Sequence, residues 1–432
     1  MHLLASIILK QIYNLDLIQK NVKLYSIVYQ LKKSEKMTTT LNPNTTNIYS
    51  TQDDKKYSGV VKVSSNGYYG TGALLYDGMA ILTAAHLFTD ANQQAEVTFD
   101  LPSGTQTISS SSIKIISTYD TLNSNDDLAI VWLSQRAPSQ AQRYEIYRDS
   151  DEIGQTFAFL GYGKMGTGSI GDAIENNTQR LVSTNKFESQ GDTLKEALGG
   201  YMAWNPSSDV LVADFDDATS QHDAFGELMG IHDLGSGDTE GILAAGDSGG
   251  SAFLDGKIAG VSSYGASLHT QSGNPDIDSE INSTFGELGF WQRVSSYQEF
   301  IDKSLRANYK NQTMQKSEVV KKITEADAGE ITFNYFLLEL SGIREDGQVS
   351  SVEYTTRDGS ATAGEDYLAV SGRINVYSDE NSVLIPVEIL GDNTVENDET
   401  FYLDIFNPIG GIFENNEIIL TAQRTIVDDD FY

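Results

Sequence analysis

Short apolar segments separated by turn residues follow one another along the chain from about Tyr57 onward. They predict strands at residues 60–63, 72–75, 79–82, 128–133 and 157–160. Strands at such short intervals favour a β-barrel or a β-sandwich over βαβ units. We therefore expect a mainly β fold.

A stricter alternation of apolar and polar residues begins after Glu318. Apolar side chains share one strand face in two segments, which are Val383, Ile385, Val387 and Ile389, and Phe401, Leu403 and Ile405. This period of two predicts a half-buried antiparallel β-sandwich. Just before it, the helical spacing of apolar residues over 296–305 predicts a helix that closes the preceding domain.

The chain of 432 residues is long enough for two domains. We predict an N-terminal extension over 1–47, a first domain over 48–307, a linker over 308–316 and a second domain over 317–432. Residues 1–36 hold six lysines and two acidic residues, and no small-residue cleavage site follows their apolar stretch. We expect translation to begin at Met37, and an atypical export or anchoring helix over 1–36 is the alternative.

Charge and cysteine content narrow the classes of function. The net charge of −32 would repel the phosphates of a nucleic acid. The chain has no cysteine, which excludes disulfides, thiol catalysis and cysteine-based metal sites. No apolar run approaches the length of a membrane span, so we expect a soluble protein. The acidity fits a secreted protein, and we expect a monomer.

One serine is surrounded by small residues in the run Gly246-Asp247-Ser248-Gly249-Gly250. Nucleophilic catalysis needs this arrangement, because small neighbours let backbone N–H groups approach a developing oxyanion while the hydroxyl stays uncovered. Ser248 is therefore the candidate nucleophile.

The candidate base is one of only five histidines. His86 follows the small residues Thr83-Ala84-Ala85 at the end of an apolar strand. The candidate acid is Asp127, directly before the buried strand at 128–133, with its neighbour Asp126 as the alternative. His222 and His232 lie in a polar segment over 214–241, where we expect surface residues.

The chain order of these three residues separates two hydrolase folds. An α/β-hydrolase would need a histidine after Ser248, and only His269 follows it, in a polar loop. The order His86, Asp127, Ser248 fits a different arrangement better.

Six segments, in order, resemble the trypsin/chymotrypsin-like serine endopeptidase family over residues 48–305. They are Ala84-Ala85-His86, Asp127-Leu128-Ala129-Ile130, Gly161-Tyr162-Gly163, the run from Gly246 to Gly250, Ser263-Tyr264-Gly265 and the segment from Gly289 to Tyr297. The resemblance implies a double β-barrel that cleaves protein or peptide substrates without a cofactor for this chemistry.

The resemblance also implies a role for each matched residue. Ser248 attacks the scissile carbonyl, His86 takes and returns its proton, and Asp127 orients the imidazole. The backbone N–H groups of Gly246 and Ser248 form the oxyanion hole.

Further carried-over roles concern activation and substrate binding. Asp247 would pair with a newly freed amino terminus, for which Ile48 is the candidate by position. Ser263, Tyr264 and Gly265 would pair with the substrate backbone. Ile242, six residues before Ser248, would replace the aspartate of a basic-residue cleaver and so predicts an apolar pocket floor.

Acidic residues gather in the predicted loops of the second domain, with the chemistry of a calcium site. Together with the segment 358–367, they resemble a Calx-beta domain, an immunoglobulin-like antiparallel sandwich, over about 317–430. The resemblance implies Ca²⁺ ligands at Glu325, Asp366, Asp392, Glu396, Glu399, Asp428, Asp429 and Asp430. The alternative is a sandwich that folds without metal and serves as a spacer.

Two hypotheses of different class follow. The first is a secreted serine endopeptidase whose calcium-binding sandwich provides stability or attachment to a cell-surface or matrix partner. The second is an adhesion or interaction protein that uses a degenerate protease scaffold. An α/β-hydrolase esterase is a third option, which requires a parallel sheet flanked by helices.

Overall fold

The computed structural model describes residues 38–40, 47–48, 55–175, 179–271, 273–309, 322–342 and 344–430. The expected start at Met37 and most of the linker predicted over 308–316 lie outside these residues.

The first six strands after residue 55 close into a barrel, with the order β3-β4-β5-β8-β7-β6. Their bounds are β3 Val60–Ser65, β4 Tyr68–Leu74, β5 Ala80–Thr83, β6 Glu96–Leu101, β7 Gly104–Ile115 and β8 Ala129–Leu133. Every second residue of these strands points inward, which buries an apolar core that includes Val61, Val63, Ile81, Phe99 and Val131. This barrel positions His86 directly after β5, in a short 3₁₀ turn over Ala85–Leu87.

An eight-stranded sheet forms the second half of the first domain, with the order β13-β14-β18-β17-β16-β9-β12-β2. Its strands are β2 Asn47–Ile48, β9 Thr156–Gly161, β12 Leu181–Lys186, β13 Ser189–Gln190, β14 Val210–Asp214, β16 Ser251–Leu254, β17 Lys257–Ala266 and β18 Leu288–Arg293. Phe157, Phe187 and Trp291 pack ring against ring in its core.

Smaller elements complete this domain. A four-stranded sheet has the order β11-β10-β1-β15. These strands are β1 Thr38–Thr40, β10 Met165–Thr167, β11 Gly171–Ile174 and β15 Gly241–Ile242. The helices are α1 Gly191–Leu198, α2 Ala224–Met229 and α3 Gln298–Asn308. The predicted closing helix is confirmed by α3, whose Ile301 and Leu305 are buried.

The C-terminal part consists of two mainly antiparallel layers, in which β19 alone pairs in parallel, with β25. A five-stranded sheet has the order β19-β25-β24-β21-β22, and β20 pairs with β23. Their bounds are β19 Lys322–Thr324, β20 Ile331–Glu339, β21 Ser350–Asp358, β22 Ser371–Val376, β23 Ser382–Leu390, β24 Glu399–Ile409 and β25 Ile419–Val427. The two sets of alternating apolar residues predicted from the sequence are buried in their shared core. The predicted fold class, a mainly β double barrel followed by a β-sandwich, is confirmed.

Strand β23 differs from the expectation of a half-buried sheet, because both of its faces are buried. Leu384 points away from the sandwich and joins the core of the first domain, beside Leu305 and Tyr309. Glu388 on the same face accepts two hydrogen bonds of 2.7 Å from the Arg143 guanidinium. The first domain therefore covers the face that the sequence pattern assigns to solvent.

A buried ion pair lies where the two parts of the chain meet. The Arg148 guanidinium donates two hydrogen bonds of 2.9 Å to the Asp302 carboxylate in α3. Tyr76 from the barrel and Tyr377 from the sandwich donate their hydroxyls to the same carboxylate, at 2.9 and 2.8 Å. Burial favours the neutral acid, but Arg148 and Arg306 outweigh it and lower the pKa of Asp302.

We predict that Asp302→Asn destabilises the chain by about 3–5 kcal/mol, because it leaves Arg148 buried without its counter-charge. The lowered pKa means that the carboxylate stabilises the folded state above the ordinary carboxyl pKa, and that this stabilisation is lost as pH falls. Urea unfolding at neutral pH measures the effect.

Asp379→Asn is the matched control. Asp379 forms an ion pair with Lys303 between the same two parts of the chain, but its side chain is 66% exposed. Exposed pairs contribute little, so the unfolding midpoint should stay unchanged. Equal midpoints for the two variants would contradict the assignment of Asp302 as the central contact.

Candidate active site and acidic clusters

His86 and Asp127 meet at the edge of the first barrel, although 41 residues separate them in the sequence. Strand β8 pairs with β5, which brings Asp127, two residues before β8, beside the residues that follow β5. His86 Nδ1 lies 2.6 Å from Asp127 Oδ2, and the backbone N–H of His86 donates to Asp127 Oδ1 at 2.8 Å. Asp127 is buried, whereas the His86 ring is 31% exposed.

The environment of His86 sets its pKa. Desolvation disfavours the charged imidazole, but the Asp127 charge and hydrogen bond outweigh it, so the pKa of His86 is raised above its ordinary value. The arrangement therefore provides a histidine that accepts a proton readily and keeps the resulting charge beside a buried carboxylate.

Two neighbouring side chains fix the candidate acid. Ser263, in β17, donates its hydroxyl to Asp127 Oδ2 at 2.5 Å, a contact that its expected role in substrate pairing did not include. Asp126 has a left-handed backbone, with φ of 55°. Its carboxylate accepts a 2.7 Å hydrogen bond from Tyr297, and no hydrogen bond to His86 is described for it.

Ser248 lies in a tight loop before β16, between the barrel and the eight-stranded sheet. Its carbonyl accepts the Thr71 N–H at 2.8 Å, and the Thr71 hydroxyl donates to the Gly246 carbonyl at 2.7 Å. Strand β4 thus ties the candidate nucleophile to the barrel that carries His86. The neighbouring N–H groups of Asp247 and Gly249 donate to the carbonyls of Ala244 and Ser262, at 2.9 and 2.8 Å.

The glycines of this loop are required by close approach and by backbone conformation. Gly249 has φ of 81°, and a Cβ there would lie under 3.0 Å from the Thr83 hydroxyl and the Thr71 carbonyl. Gly246 has φ of 99°, and a Cβ there would lie 2.8 Å from the Tyr69 ring. Only glycine fits both constraints.

Asp247 is completely buried beside the candidate nucleophile. Its carboxylate accepts backbone N–H groups of Gly163 and Ala244, at 3.0 and 3.1 Å. Ile48, the candidate activation terminus, lies in β2 and pairs with Leu181 of β12. The expected pairing of Asp247 with a freed terminus stays a prediction.

The residues expected to bind substrate lie in two strands, β15 and β17. Ile242 is buried in β15, where its backbone pairs with Thr39 of β1. Tyr264 stacks on Phe290 with ring centroids 4.4 Å apart, while Gly265 pairs with Gly289 of β18. Sequence reasoning missed Trp204, whose indole N–H donates to the Tyr264 hydroxyl at 2.9 Å.

The two histidines expected at the surface differ in exposure. The His232 side chain is 71% exposed, whereas that of His222 is 25% exposed. Each lies beside an aspartate, with His232 Nδ1 at 3.0 Å from Asp223 and His222 Nδ1 at 2.6 Å from Asp217.

Six of the eight predicted ligands of the sandwich gather into two clusters, whereas Asp392 and Asp429 belong to neither. One oxygen from each of Glu325, Asp428 and Asp430 lies within 4.8 Å of the others, and Asp366, Glu396 and Glu399 are arranged in the same way. The Glu396 N–H donates to Asp428 at 2.8 Å and so links the two clusters.

The carboxylates in these clusters act on one another. Burial, with the charges of Asp392, Asp428, Asp430 and Asp429, raises the pKa of Glu325 to about 7. Burial and Asp366 raise the pKa of Glu399 to about 7. Asp430 Oδ2 is buried and has no hydrogen-bond partner among the described residues. These residues fit a bound cation, because a divalent ion would supply the missing partner.

Two segments of the chain match known families. The sequence model of the Trypsin family matches residues 46–203. That of the Calx-beta domain matches residues 322–432. The chain combines a trypsin domain with a Calx-beta domain, in that order.

The trypsin match includes His86 and Asp127 and ends before Ser248. The trypsin fold nevertheless continues, because β14 and β16 to β18 belong to the same sheet as β9 and β12. The α/β-hydrolase alternative is wrong, since this domain is built from a closed barrel and mainly antiparallel strand pairs.

A curated relative matches a short part of the chain. The Sodium/calcium exchanger Calx of Drosophila melanogaster is 36% identical over 81 residues, which are 19% of this chain and 8% of the exchanger. The chain thus spans a small part of that relative's length. None of the helices that the structure describes has the length and apolar character needed to cross a bilayer.

We predict that Gly249→Ala destabilises the trypsin domain by more than the backbone strain alone, because its Cβ would enter space held by Thr83 and Thr71. The control is Gly256→Ala in the turn between β16 and β17. Gly256 has a similar φ of 76°, but a Cβ there would meet nothing within 4 Å.

The control should cost about 1–2 kcal/mol, the strain of a left-handed residue with a Cβ. Thermal unfolding of both variants isolates the effect of close approach. A midpoint for Gly249→Ala equal to that of Gly256→Ala would show that the loop has room for a side chain.

Proposed function

We propose that this chain is a serine endopeptidase that hydrolyses peptide bonds through His86, Asp127 and Ser248, with a Calx-beta domain that binds Ca²⁺. The observation that carries the proposal is the 2.6 Å hydrogen bond between His86 Nδ1 and a buried Asp127 carboxylate. A buried carboxylate that orients an exposed imidazole is the arrangement that general-base catalysis requires.

In the proposed reaction, Ser248 Oγ attacks the scissile carbonyl while His86 takes its proton. Asp127 accepts the Nδ1–H of His86 and stabilises the imidazolium that forms. The backbone N–H groups of Gly246 and Ser248 hold the oxyanion, an effect worth about 10²–10³ in rate for a donor. His86 then protonates the leaving amine, and water hydrolyses the acyl-enzyme by the same steps.

Substrate choice follows from the pocket residues. Ile242 is buried and uncharged, so we propose that the pocket accepts an apolar side chain rather than arginine or lysine. Ser263, Tyr264 and Gly265 would hold the substrate backbone at the edge of β17. Activation by a terminus that pairs with Asp247 belongs to the same proposal.

For the Calx-beta domain, we propose that the two clusters around Asp430 and Glu399 hold Ca²⁺. Bound Ca²⁺ would neutralise carboxylates whose repulsion otherwise opposes folding. We also propose that the protein is secreted and monomeric, and that this domain attaches it to a cell-surface or matrix partner.

The test of the catalytic proposal is labelling with a fluorophosphonate probe. The wild-type chain should be labelled, and Ser248→Ala should abolish labelling, because the probe reacts with an activated serine hydroxyl. In-gel fluorescence of the full chain in Ca²⁺ measures both. Absence of labelling in the folded wild type would favour the scaffold hypothesis.

The pH dependence of labelling then tests the base. Since the pKa of His86 is raised and the neutral ring is the reactive form, the rate should fall as pH drops through a value above its ordinary one. Asp127→Asn should slow labelling by about 10⁴. It should also move the midpoint to lower pH, because the charge that raises the pKa is gone.

For the second domain, we predict that Ca²⁺ raises the melting temperature of the full chain relative to chelator. The combined variant Glu325→Gln and Asp430→Asn should lose part of that increase, because it removes two carboxylates of one cluster and leaves the other intact. Differential scanning calorimetry measures it. The control is Asp398→Asn. Asp398 is exposed and pairs with Lys322, so this variant should keep the wild-type increase in melting temperature. An increase that survives the double variant unchanged would contradict the predicted ligands.

A further inference from the structure

A third acidic cluster lies in the trypsin domain, in the segment between β14 and β15. One carboxylate oxygen from each of Asp214, Asp216 and Asp223 lies within 4.8 Å of the others. Each of the three residues is 1% exposed. They come from three different local structures, which are the end of β14, the turn after it and the cap of α2, where Asp223 accepts the Gly226 N–H at 2.5 Å.

Asp216 provides a second and independent observation. Its Oδ1 atom is buried and has no hydrogen-bond partner within the part of the chain that the structure describes. A buried carboxylate oxygen without a partner is costly, because it has lost its water and gained nothing. Such an atom, close to two further carboxylates, points to a positively charged ligand.

The surroundings of the cluster are acidic and contain space. A cavity of about 210 Å³ is bordered by Glu188, Asp214, Asp216, Asp233 and Lys186, among others. Lys186 already pairs with Asp233. Glu240 accepts the Asp216 N–H at 2.9 Å, which adds another buried carboxylate beside the cluster.

Burial and neighbouring negative charges raise the pKa values of these carboxyl groups. Burial, with the charges of Asp214 and Glu240, raises the pKa of Asp216 to about 10. Burial raises the pKa of Glu188 and of Glu240 to about 7. Buried carboxylates this close together repel one another, and a bound divalent ion would remove that repulsion.

We propose that Asp214, Asp216 and Asp223 form a Ca²⁺ site in the trypsin domain, separate from the clusters of the Calx-beta domain. The donors are all carboxylate oxygens, which hard cations prefer. Three converging carboxylates suit Ca²⁺ better than Mg²⁺, because Mg²⁺ keeps several of its waters and is usually held by only one or two carboxylates.

The position of the site gives the ion a consequence for substrate binding. The segment from Asp214 to Glu240 leads directly into β15, which carries Ile242. A bound ion would fix both ends of that segment, since Asp214 ends β14 and Asp216 holds Glu240. This coupling rests on the proposed function, whereas the binding of Ca²⁺ does not.

The test counts bound Ca²⁺ in the full chain by isothermal titration calorimetry after removal of metal with chelator. Asp216→Asn should bind one Ca²⁺ fewer than the wild type. The control is Asp217→Asn, because Asp217 is the next residue but pairs with His222 outside the cluster. This control should keep the wild-type stoichiometry, and Mg²⁺ at the same concentration should not replace Ca²⁺.

A second background separates the three clusters. With Glu325→Gln, Asp430→Asn, Glu396→Gln and Glu399→Gln combined, one Ca²⁺ per chain should remain, and adding Asp216→Asn should remove it. In chelator, Asp216→Asn alone should melt no lower than the wild type, because the Asp216 Oδ1 atom has no hydrogen-bond partner to lose.

An unchanged stoichiometry in Asp216→Asn, or equal occupancy by Mg²⁺, would overturn the proposal. The inactive Ser248→Ala chain should bind Ca²⁺ as the wild type does. Failure of the labelling experiment therefore leaves this result unaffected, and the two proposals fail separately.

Discussion

The Asp302 carboxylate is the contact on which the arrangement of the described chain depends. Arg148 reaches it from the segment between the two halves of the trypsin domain, and Tyr377 reaches it from the Calx-beta domain. A buried ion pair adds little net stability when complete, but removing one partner is expensive. The Arg148–Asp302 pair lies within the trypsin domain, and the Tyr377 hydroxyl joins the Calx-beta domain to it. Arg143 with Glu388, and Leu384 in the core of the first domain, extend the same contact.

The candidate active site is assembled from both halves of the first domain. His86 and Asp127 belong to the closed barrel, whereas Ser248 and Ser263 belong to the second half. Ser263 holds Asp127 across the boundary, and Thr71 holds the loop of Ser248. Helix α3, which carries Asp302, packs Ile301 and Leu305 into the core shared by both halves.

Part of the excess negative charge of the chain lies in three acidic clusters, where neighbouring carboxylates repel one another. The sequence predicts carboxylate ligands in the Calx-beta domain from the dense runs Asp392 to Glu399 and Asp428 to Asp430, and the family resemblance adds Glu325 and Asp366. The third cluster was missed, and the segment 214–241 was interpreted as polar surface. Asp214 and Asp216 are buried because β14 pairs with β18 and the following turn packs inward. A signal existed in the adjacent Asp214, Asp216 and Asp217, but their burial is not a local property.

The sequence by itself determined the mainly β class, the order of the two domains, and His86, Asp127 and Ser248 as a candidate set. These follow from local patterns, since strand alternation and small residues around a nucleophile are read within a few positions. Only the tertiary structure decided that Ser263 holds Asp127, that β23 is buried on both faces, and that Asp214, Asp216 and Asp223 converge. Such contacts join residues far apart in the chain, and their distances are set by strand pairing and domain packing rather than by sequence spacing.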